Sequence, residues 1–390
     1  MKSTKMNNTV IDRIDKAIAD LKNNNFTIYF FIADCKNVPN SSMEYIYEMA
    51  KTLKDNKYNV TMLYQLDNEY SDEELDELNR KEKYIDTNKT FIGVREWLGD
   101  EYADIPHMNI SKGNWSVSPS DYLFIPEAFS SLMYQTYKLN APCKRYVILQ
   151  NYNYVTDFIP LGVEWKNYGI CDVLASTDKL ANTIQSVFPY VRTKVIPPFI
   201  NECYRKPLTP HKLCVNVISK KQSDVNNLIK TFYWKYPVYK FISFMDVRNF
   251  SREEYCKALK NGAITVWIDD DTEFGHTPLQ AMRCGDIVIG KIPETIPEWM
   301  QDEEGVINNG FWTYNRETLP DVLAKVIASW MQDEIPSELT NSVESTNQKY
   351  SHKEWNENVT SFIKASVEER INEFKMIKDG EINNNVNDNN

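Results

Sequence analysis

The feature that most constrains this chain is an alternation of two patterns. Short, nearly continuous apolar runs are followed again and again by stretches whose apolar residues recur at helical spacing. Residues 26–34, FTIYFFIAD, form the first run. It is rich in aromatic and β-branched side chains, which marks a strand buried on both faces. The loop CKNVPNSS leads into MEYIYEMAKTLKDN, where Met43, Ile46, Tyr47, Ala50 and Leu53 share one helical face, and YNVTMLYQ is the next strand. Strand, helix and strand make a βαβ unit, whose crossover is right-handed.

The alternation continues with DYLFIPE and KRYVILQ as strands either side of the helix AFSSLMYQTYKL, then CDVLAS as strand and DKLANTIQSVF as helix. It pauses over residues 193–211, where four prolines fall with no helical period, the pattern of an interdomain linker. The same grammar then restarts: KLCVNVIS, YKFISFMD, AITVWID and DIVIG read as strands, and DVNNLIKTFYWKY, SREEYCKALKNG and TPLQAMRC as the helices between them. RETLPDVLAKVIASWMQD closes the second half, and HKEWNENVTSFIKASVEERINEF is a long terminal helix. The fold class is therefore α/β, with two doubly wound Rossmann-like domains. The expected boundaries are a polar leader over 1–25, a first domain over 26–198, a second over 199–345, a terminal helix over 352–374 and a disordered tail over 378–390. Open parallel sheets bind ligands at the carboxyl ends of their strands, so a cleft between the two sheets is the natural site.

Bulk properties narrow the class. A chain of 390 residues is long enough for two cores. A formal charge of −11 and a pI near 5.1 argue against general attraction to nucleic acid or anionic lipid. Seven cysteines without a C-x-x-C pair give neither a disulfide framework nor a zinc spacing, which fits a reducing, cytoplasmic compartment. No run of eighteen apolar residues predicts a transmembrane segment, and the leader lacks the apolar core of a signal peptide. The Asn-rich end, KDGEINNNVNDNN, has too few apolar side chains to offset its ordering entropy.

One stretch concentrates unusual chemistry: DDDTEFGHTPLQAMRCGDIVIG, residues 269–290. Thr277, Pro278 and Gln280 read as an N-cap, a first helical residue and the partner of a T-x-x-Q capping box. Gly275 allows a sharp turn or close approach of a ligand to the backbone. Strand, short loop and capped helix together offer free N–H groups and a positive dipole end, an anion site. The same box also fits a helix that is merely capped.

Phe274, Gly275, Pro278, Leu279, Ala281, Met282, Cys284 and Gly285 match in register the donor-site signature E-G-F-G-x-x-x-L-E-A-M-A-x-G-x-P-V-V. The stretch therefore resembles the GT-B superfamily of retaining glycosyltransferases, specifically glycosyltransferase family 4. KIPETIPEWMQDEEGVI resembles the family's following turn and helix, KVIPPFIN its V-I-P-N-G-I-D crossing segment, and residues 30–65 its first strand, loop, helix and strand. The resemblance implies two Rossmann-like domains facing a central cleft, with the terminal helix returning to the first. It also implies a nucleotide-sugar donor, UDP- or GDP-linked, with its diphosphate on the Thr277 helix, transferred with retention and without cofactor or metal. Lys220 and Lys221 stand where the family has an Arg and, a few residues on, a Lys; a solvated loop pair is the other reading. Donor contacts then fall to Thr272, Gly275, His276, Thr277, Pro278, Leu279 and Gln280, and the acceptor enters near Asn40, Ser41, Ser42, Gln150 and Asn151.

The sequence also departs from the family. The two glutamates, eight positions apart, align with Thr272 and Gln280, and Glu273 is the carboxylate expected to take over the sugar contact. NVPNSS replaces the glycine pair after the first strand, and Gln150 and Asn151 replace a histidine, as hydrogen-bonders without a proton to transfer at neutral pH. Tyr152, Tyr154 and Phe158 fit either an acceptor platform or core. The triplet at Asp269 also fits a D-x-D metal site, but it lies within the second domain rather than after a first strand set. The expected activity is sugar transfer to a glycan, lipid or protein. The alternatives are a non-catalytic nucleotide or glycan binder, favoured by the lost glutamates, and a viral-type transferase acting on modified DNA bases. The Asn-, Lys- and Tyr-rich composition suggests the latter, and the lack of a compact Lys/Arg cluster disfavours a nucleic-acid acceptor.

Overall fold

The protein was analysed as a computed structural model, which describes residues 8–33, 40–65, 98, 100–111, 115–248, 250–269, 274–294, 296–301 and 304–380. Elements are numbered among these residues. The chain divides into two units, Met1–Ile196 with Asn356–Asn390, and Pro197–Trp355.

The first unit is built on a seven-stranded, wholly parallel sheet in the order β3-β2-β1-β4-β5-β6-β7. Its strands are β1 (Thr27–Ile32), β2 (Asn59–Tyr64), β3 (His107–Asn109), β4 (Tyr122–Pro126), β5 (Lys144–Leu149), β6 (Asp172–Ala175) and β7 (Arg192–Val195). Every residue of β4 and β6 is buried: the apolar run of β4 as a doubly covered strand should be, and in β6 the buried Asp172 as well, where it pairs with Lys144. The described helices of this unit are α1 (Asn8–Lys22), α2 (Ser41–Asp55), α3 (Ser130–Lys138), α4 (Tyr152–Phe158), α5 (Asp178–Val187) and most of the terminal helix α11 (His352–Lys378).

Three expectations change here. The polar leader contains a helix: Ile14, Ala17 and Leu21, at spacings of three and four, are buried, and Asp15 pairs with Lys378 at 2.6 Å. Val10, Ile11, Ile14, Ala17, Ile18 and Leu21 recur at helical spacing, a period that the polar residues around them obscured. Lys378 therefore belongs to α11 rather than to the tail, of which residues 381–390 lie outside the described residues. The linker expected to start at residue 193 starts later, because residues 193–195 pair with β6 as the edge strand β7. Only half-buried, that strand lacks the apolar run that identified the others.

Helix α11 completes the first core. Phe362 sets its ring edge-on to Phe124 and Tyr146 at 6.1 and 5.3 Å, and the Tyr122 hydroxyl donates to the Ser366 carbonyl at 3.1 Å. Lys144, almost wholly buried, is held between Asp172 at 2.8 Å and Glu373 at 3.0 Å.

The second unit carries a five-stranded parallel sheet, β12-β11-β10-β8-β9. Its strands are β8 (Lys212–Ser219), β9 (Ser243–Asp246), β10 (Gly262–Ile268), β11 (Ile287–Lys291) and β12 (Phe311–Thr313). Helices α6 (Gln222–Lys235) and α9 (Leu319–Met331) supply Leu228, Phe232, Leu323 and Ile327 to a core on one face. On the other, α7 (Arg252–Asn261) and α8 (His276–Cys284) pack Leu259, Leu279 and Met282 against Trp299 and Tyr350. Side chains alternate along β10, so Ile264, Val266 and Ile268 face the α6/α9 core while Trp267 meets Trp299 and Trp312 on the other face. Trp267, Gly290 and Trp312 are in register across three strands, and a Cβ on Gly290 would lie 2.6 Å from the Trp312 ring. The indole occupies the space a side chain would need. Helix α10 (Ser337–Lys349) buries no residue completely, which is why no apolar stripe announced it, and the second unit runs past the expected boundary at 345 to Trp355.

Candidate functional site

Both sheets reverse their winding beside their first strand. In the second unit the chain goes from β8 to β9 on one side and then to β10 on the other. Such a switch point leaves a crevice at the carboxyl ends of the two strands that diverge, the usual ligand position in open α/β sheets. Ser219 and Ile268 are partners at the ends of β8 and β10, so the residues that follow them, Lys220 and Asp269, flank this crevice. They form an ion pair of 3.1 Å, with the Lys220 side chain 64% exposed.

The N-terminus of α6 opens beside them. Lys221 is its N-cap residue without capping it through the side chain, and its N–H donates to Ser219 Oγ at 3.2 Å. Asp224 in the first turn accepts from Ser219 Oγ at 3.1 Å and from Arg316 at 2.6 Å. Arg248 pairs with Asp246 at 2.7 Å and hydrogen-bonds the side chain of Gln222. Arg248 and Arg316 follow the ends of β9 and β12, so all four cations lie along the carboxyl edge of one parallel sheet. The sequence reading missed both arginines. The signal was the same as for Lys220, a basic residue just past an apolar run, but nothing in the runs tells which strands are neighbours.

Helix α8 starts earlier than the capping box predicts. Gly275, at φ 71° and ψ 75°, is the N-cap, His276 the first helical residue, and no side chain caps the end. Thr277 and Pro278 are therefore second and third, and Gln280, fifth, is buried and too far along to close a box. The left-handed conformation at Gly275 turns the chain into the helix without a capping hydroxyl. Proline is tolerated at the third position because that N–H would have no intrahelical acceptor in any case. The donors left by helix geometry are the N–H groups of Gly275, His276 and Thr277.

Of the other sequence-predicted donor residues, Leu279 is fully buried in the α7/α8 core and Pro278 is buried too, so neither side chain is offered to a ligand. The His276 ring lies 4.8 Å from that of Phe274, and burial pushes its pKa down to about 4, leaving a neutral imidazole at pH 7. Thr272 and Glu273, with Asp270 and Asp271, lie outside the described residues. No cluster of three metal-ligating side chains occurs among the described residues.

In the first unit the switch point lies between β1 and β4. Asn40 caps α2, its Oδ1 accepting from the N–H groups of Ser42 and Met43 at 3.0 and 3.1 Å, and Asn151 caps α4 by accepting from Asn153 N–H at 2.9 Å. Their side-chain oxygens, expected to meet an acceptor, already hold helix ends. Gln150 and Ser42 do come together: Gln150 Nε2 donates to the Ser42 carbonyl at 3.1 Å, while Ser41 opens α2 beside them, exposed. Beneath them is a carboxylate that the sequence reading passed over. Glu127, 2% exposed at the end of β4, accepts from the N–H groups of Gln150 and Asn151 at 3.0 and 2.8 Å. An acid directly after a continuous apolar strand was the available signal. Tyr154 and Phe158 expose their rings, 6.0 Å apart, on α4, whereas Tyr152 packs on the core.

Solved structures share this architecture. The pneumococcal O-GlcNAc transferase GtfA, in complex with UDP and GlcNAc, matches with a TM-score of 0.58 at 9% identity, over 89% of this chain and 99% of its own. Sucrose-phosphate synthase from Thermosynechococcus elongatus matches at 0.57 and 10% identity, over 87% and 98%. The chain has the GT-B fold. A glycosyltransferase from Rickettsia africae also shares this GT-B architecture, at a TM-score of 0.54 and 14% identity over 89% of this chain and 98% of its own. No protein-family model matches the sequence, and no curated protein does.

Proposed function

We propose that this protein is a glycosyltransferase that moves a sugar from a nucleotide diphosphate donor, UDP- or GDP-linked, to a glycan, lipid or protein acceptor with retention of configuration. One observation carries the reading: the cations Lys220, Lys221, Arg248 and Arg316 line the carboxyl edge of the sheet on which α8 presents an uncapped N-terminus. Cleavage of the donor leaves a nucleoside diphosphate whose negative charge grows toward the transition state. Cations and fixed N–H dipoles that meet this charge stabilise the transition state more than the ground state. The donor's diphosphate belongs on the Gly275, His276 and Thr277 amides, with Lys220 leaving Asp269 to join it. Gln280 and Glu273 are the groups for ribose and sugar hydroxyls.

The likeness of residues 274–290 to a signature of retaining enzymes supports retention and a metal-independent reaction. The UDP and GlcNAc named for the pneumococcal transferase support a nucleotide-sugar donor. In the first unit, Glu127 acts through the backbone, fixing Gln150 and Asn151 where an acceptor is to be held. A second reading rests on Gln280, which replaces a family glutamate: a site that binds the nucleotide without turning it over.

A thermal-shift screen against UDP, GDP, ADP, CMP and their sugar conjugates, with and without magnesium, tests both. A ligand at a hundred times its dissociation constant stabilises the native state by about 2.7 kcal/mol. One nucleotide should stabilise without metal, its sugar conjugate should be slowly hydrolysed with the anomer retained by NMR, and Lys220→Ala with Lys221→Ala should weaken binding tenfold or more. Binding without hydrolysis or transfer to any acceptor supports the second reading. No stabilisation by any nucleotide refutes both.

A further inference from the structure

Outside the candidate site, the second unit contains a pair of cysteines whose surroundings are those of a reactive thiol couple. Cys256 lies on α7 and Cys203 in the 3-10 turn Glu202–Tyr204, which packs on that helix 53 residues earlier in the chain. Cys256 Sγ is 2.8 Å from the Cys203 carbonyl oxygen, which sets the two cysteines side by side. The turn is fastened on both sides of Cys203. Glu202 pairs with Arg283 of α8, and the Tyr204 and Tyr255 rings meet edge to face at 5.9 Å. The two cysteines are thus held beside each other by the packing of their elements.

The helix also supplies charge. Arg252, Cys256 and Lys260 follow one another at four-residue intervals, one face of α7. The charge of Lys260 acts on Cys256, and that of Arg252 on both cysteines. As a thiol, Cys256 donates to the Cys203 carbonyl; once ionised, it has the Lys260 and Arg252 charges nearby. The neighbouring Cys203 thiol and the two cations pull Cys256 below the ordinary thiol range, while Cys203, beside that thiolate, is raised. The other described cysteines have no such setting. Burial raises Cys143 and Cys284, and Cys171 is exposed beside Asp172.

We propose that Cys203 and Cys256 form a redox-active pair that closes to an intramolecular disulfide by exchange with a small-molecule disulfide such as oxidised glutathione. Cys203 is the more accessible, so it is the entry point. It passes its proton to the Cys256 thiolate as it attacks, giving a Cys203–glutathione mixed disulfide and one glutathione thiolate. Cys256, deprotonated again, then attacks Cys203 Sγ and expels the second glutathione. Overall two thiols lose two electrons and two protons, and one glutathione disulfide becomes two glutathiones. The product ties the segment that enters the second unit to the middle of α7, and a dithiol reverses it.

The test uses the full chain, equilibrated natively in glutathione buffers of increasing oxidised fraction, quenched in acid, unfolded, alkylated and mapped by mass spectrometry. Cys203 and Cys256 should lose alkylation together, appear as one cross-linked peptide pair two hydrogens lighter, and recover with dithiothreitol. Cys256→Ser should instead accumulate a stable glutathione adduct on Cys203. The proposal is overturned if both thiols stay free in buffers that already modify exposed Cys171. It is equally overturned if wild-type Cys203 takes up glutathione without cross-linking. The wild-type map decides the matter even where a variant folds poorly.

Discussion

At the scale of single residues, burial decides protonation, and its sign depends on which form of the group is charged. His107 is held between the Tyr47 hydroxyl, 2.9 Å from Nε2, and the Ile105 carbonyl, 2.6 Å from Nδ1, and burial pushes its pKa down to about 3. The unfolded chain takes up a proton on this imidazole near pH 6.5 and the folded chain does not, so stability falls as pH drops through that value. The loss from this one group is about 1.4 kcal/mol for each pH unit below it. In the second unit Asp286 is nearly inaccessible, bonded to Thr265 and Asn216, and its pKa is raised well above the usual carboxylate range. It gains a proton in the folded state first, so acidification relieves its burial and opposes the effect of His276. The first unit therefore gives the cleaner readout. His107→Gln should lose about 4 °C less in melting temperature between pH 7 and pH 5 than the wild type, measured by calorimetry. An unchanged pH slope would mean that His107 is protonated in the fold.

At the scale of elements, the start of α8 shows what a local pattern leaves open. Thr277, Pro278 and Gln280 spell a capping box, yet the helix begins one residue before Thr277 because Gly275 can adopt φ 71°. A capping motif competes with other ways of starting a helix, and here the left-handed conformation at Gly275 prevails. Gly275→Ala would force a Cβ into the left-handed region at a cost of about 1–3 kcal/mol. It should lower the stability of the second unit by that amount in denaturant titrations and weaken nucleotide binding with it. A variant as stable as the wild type would show that the helix can start at Thr277 after all. By contrast α7 begins as its sequence spells, with Ser251 and Glu254 completing a reciprocal capping box.

At the scale of the whole molecule, the C-terminal helix belongs with the chain's first half. Phe362, 8% exposed, lies against Phe124 and Tyr146, and Ser366 meets the hydroxyls of Tyr122 and Tyr146. Phe362→Ala should cost about 3 kcal/mol through the cavity it leaves, read as a lower denaturant midpoint for the first unit alone. A midpoint shift confined to the second unit would contradict this assignment. No helix among the described residues is long and apolar enough to cross a membrane. Much of this architecture was legible in the sequence, because a strand covered on both faces must be apolar at nearly every position, as β1, β4 and β10 are, and a helix on a sheet must repeat its apolar residues every three or four positions. Elements without that demand stayed hidden: the half-buried edge strand β7, the three-residue strands β3 and β12, and α10, which buries nothing completely. The candidate site divides in the same way. Gly275, Lys220 and Lys221 could be read from local chemistry, since a glycine before a helix and a base after a strand act where they stand. Arg248, Arg316 and Glu127 could not, nor could the meeting of Cys203 with Cys256, because strand order and helix packing bring these partners together across tens of residues, and one chain's local pattern carries no record of which strands become neighbours.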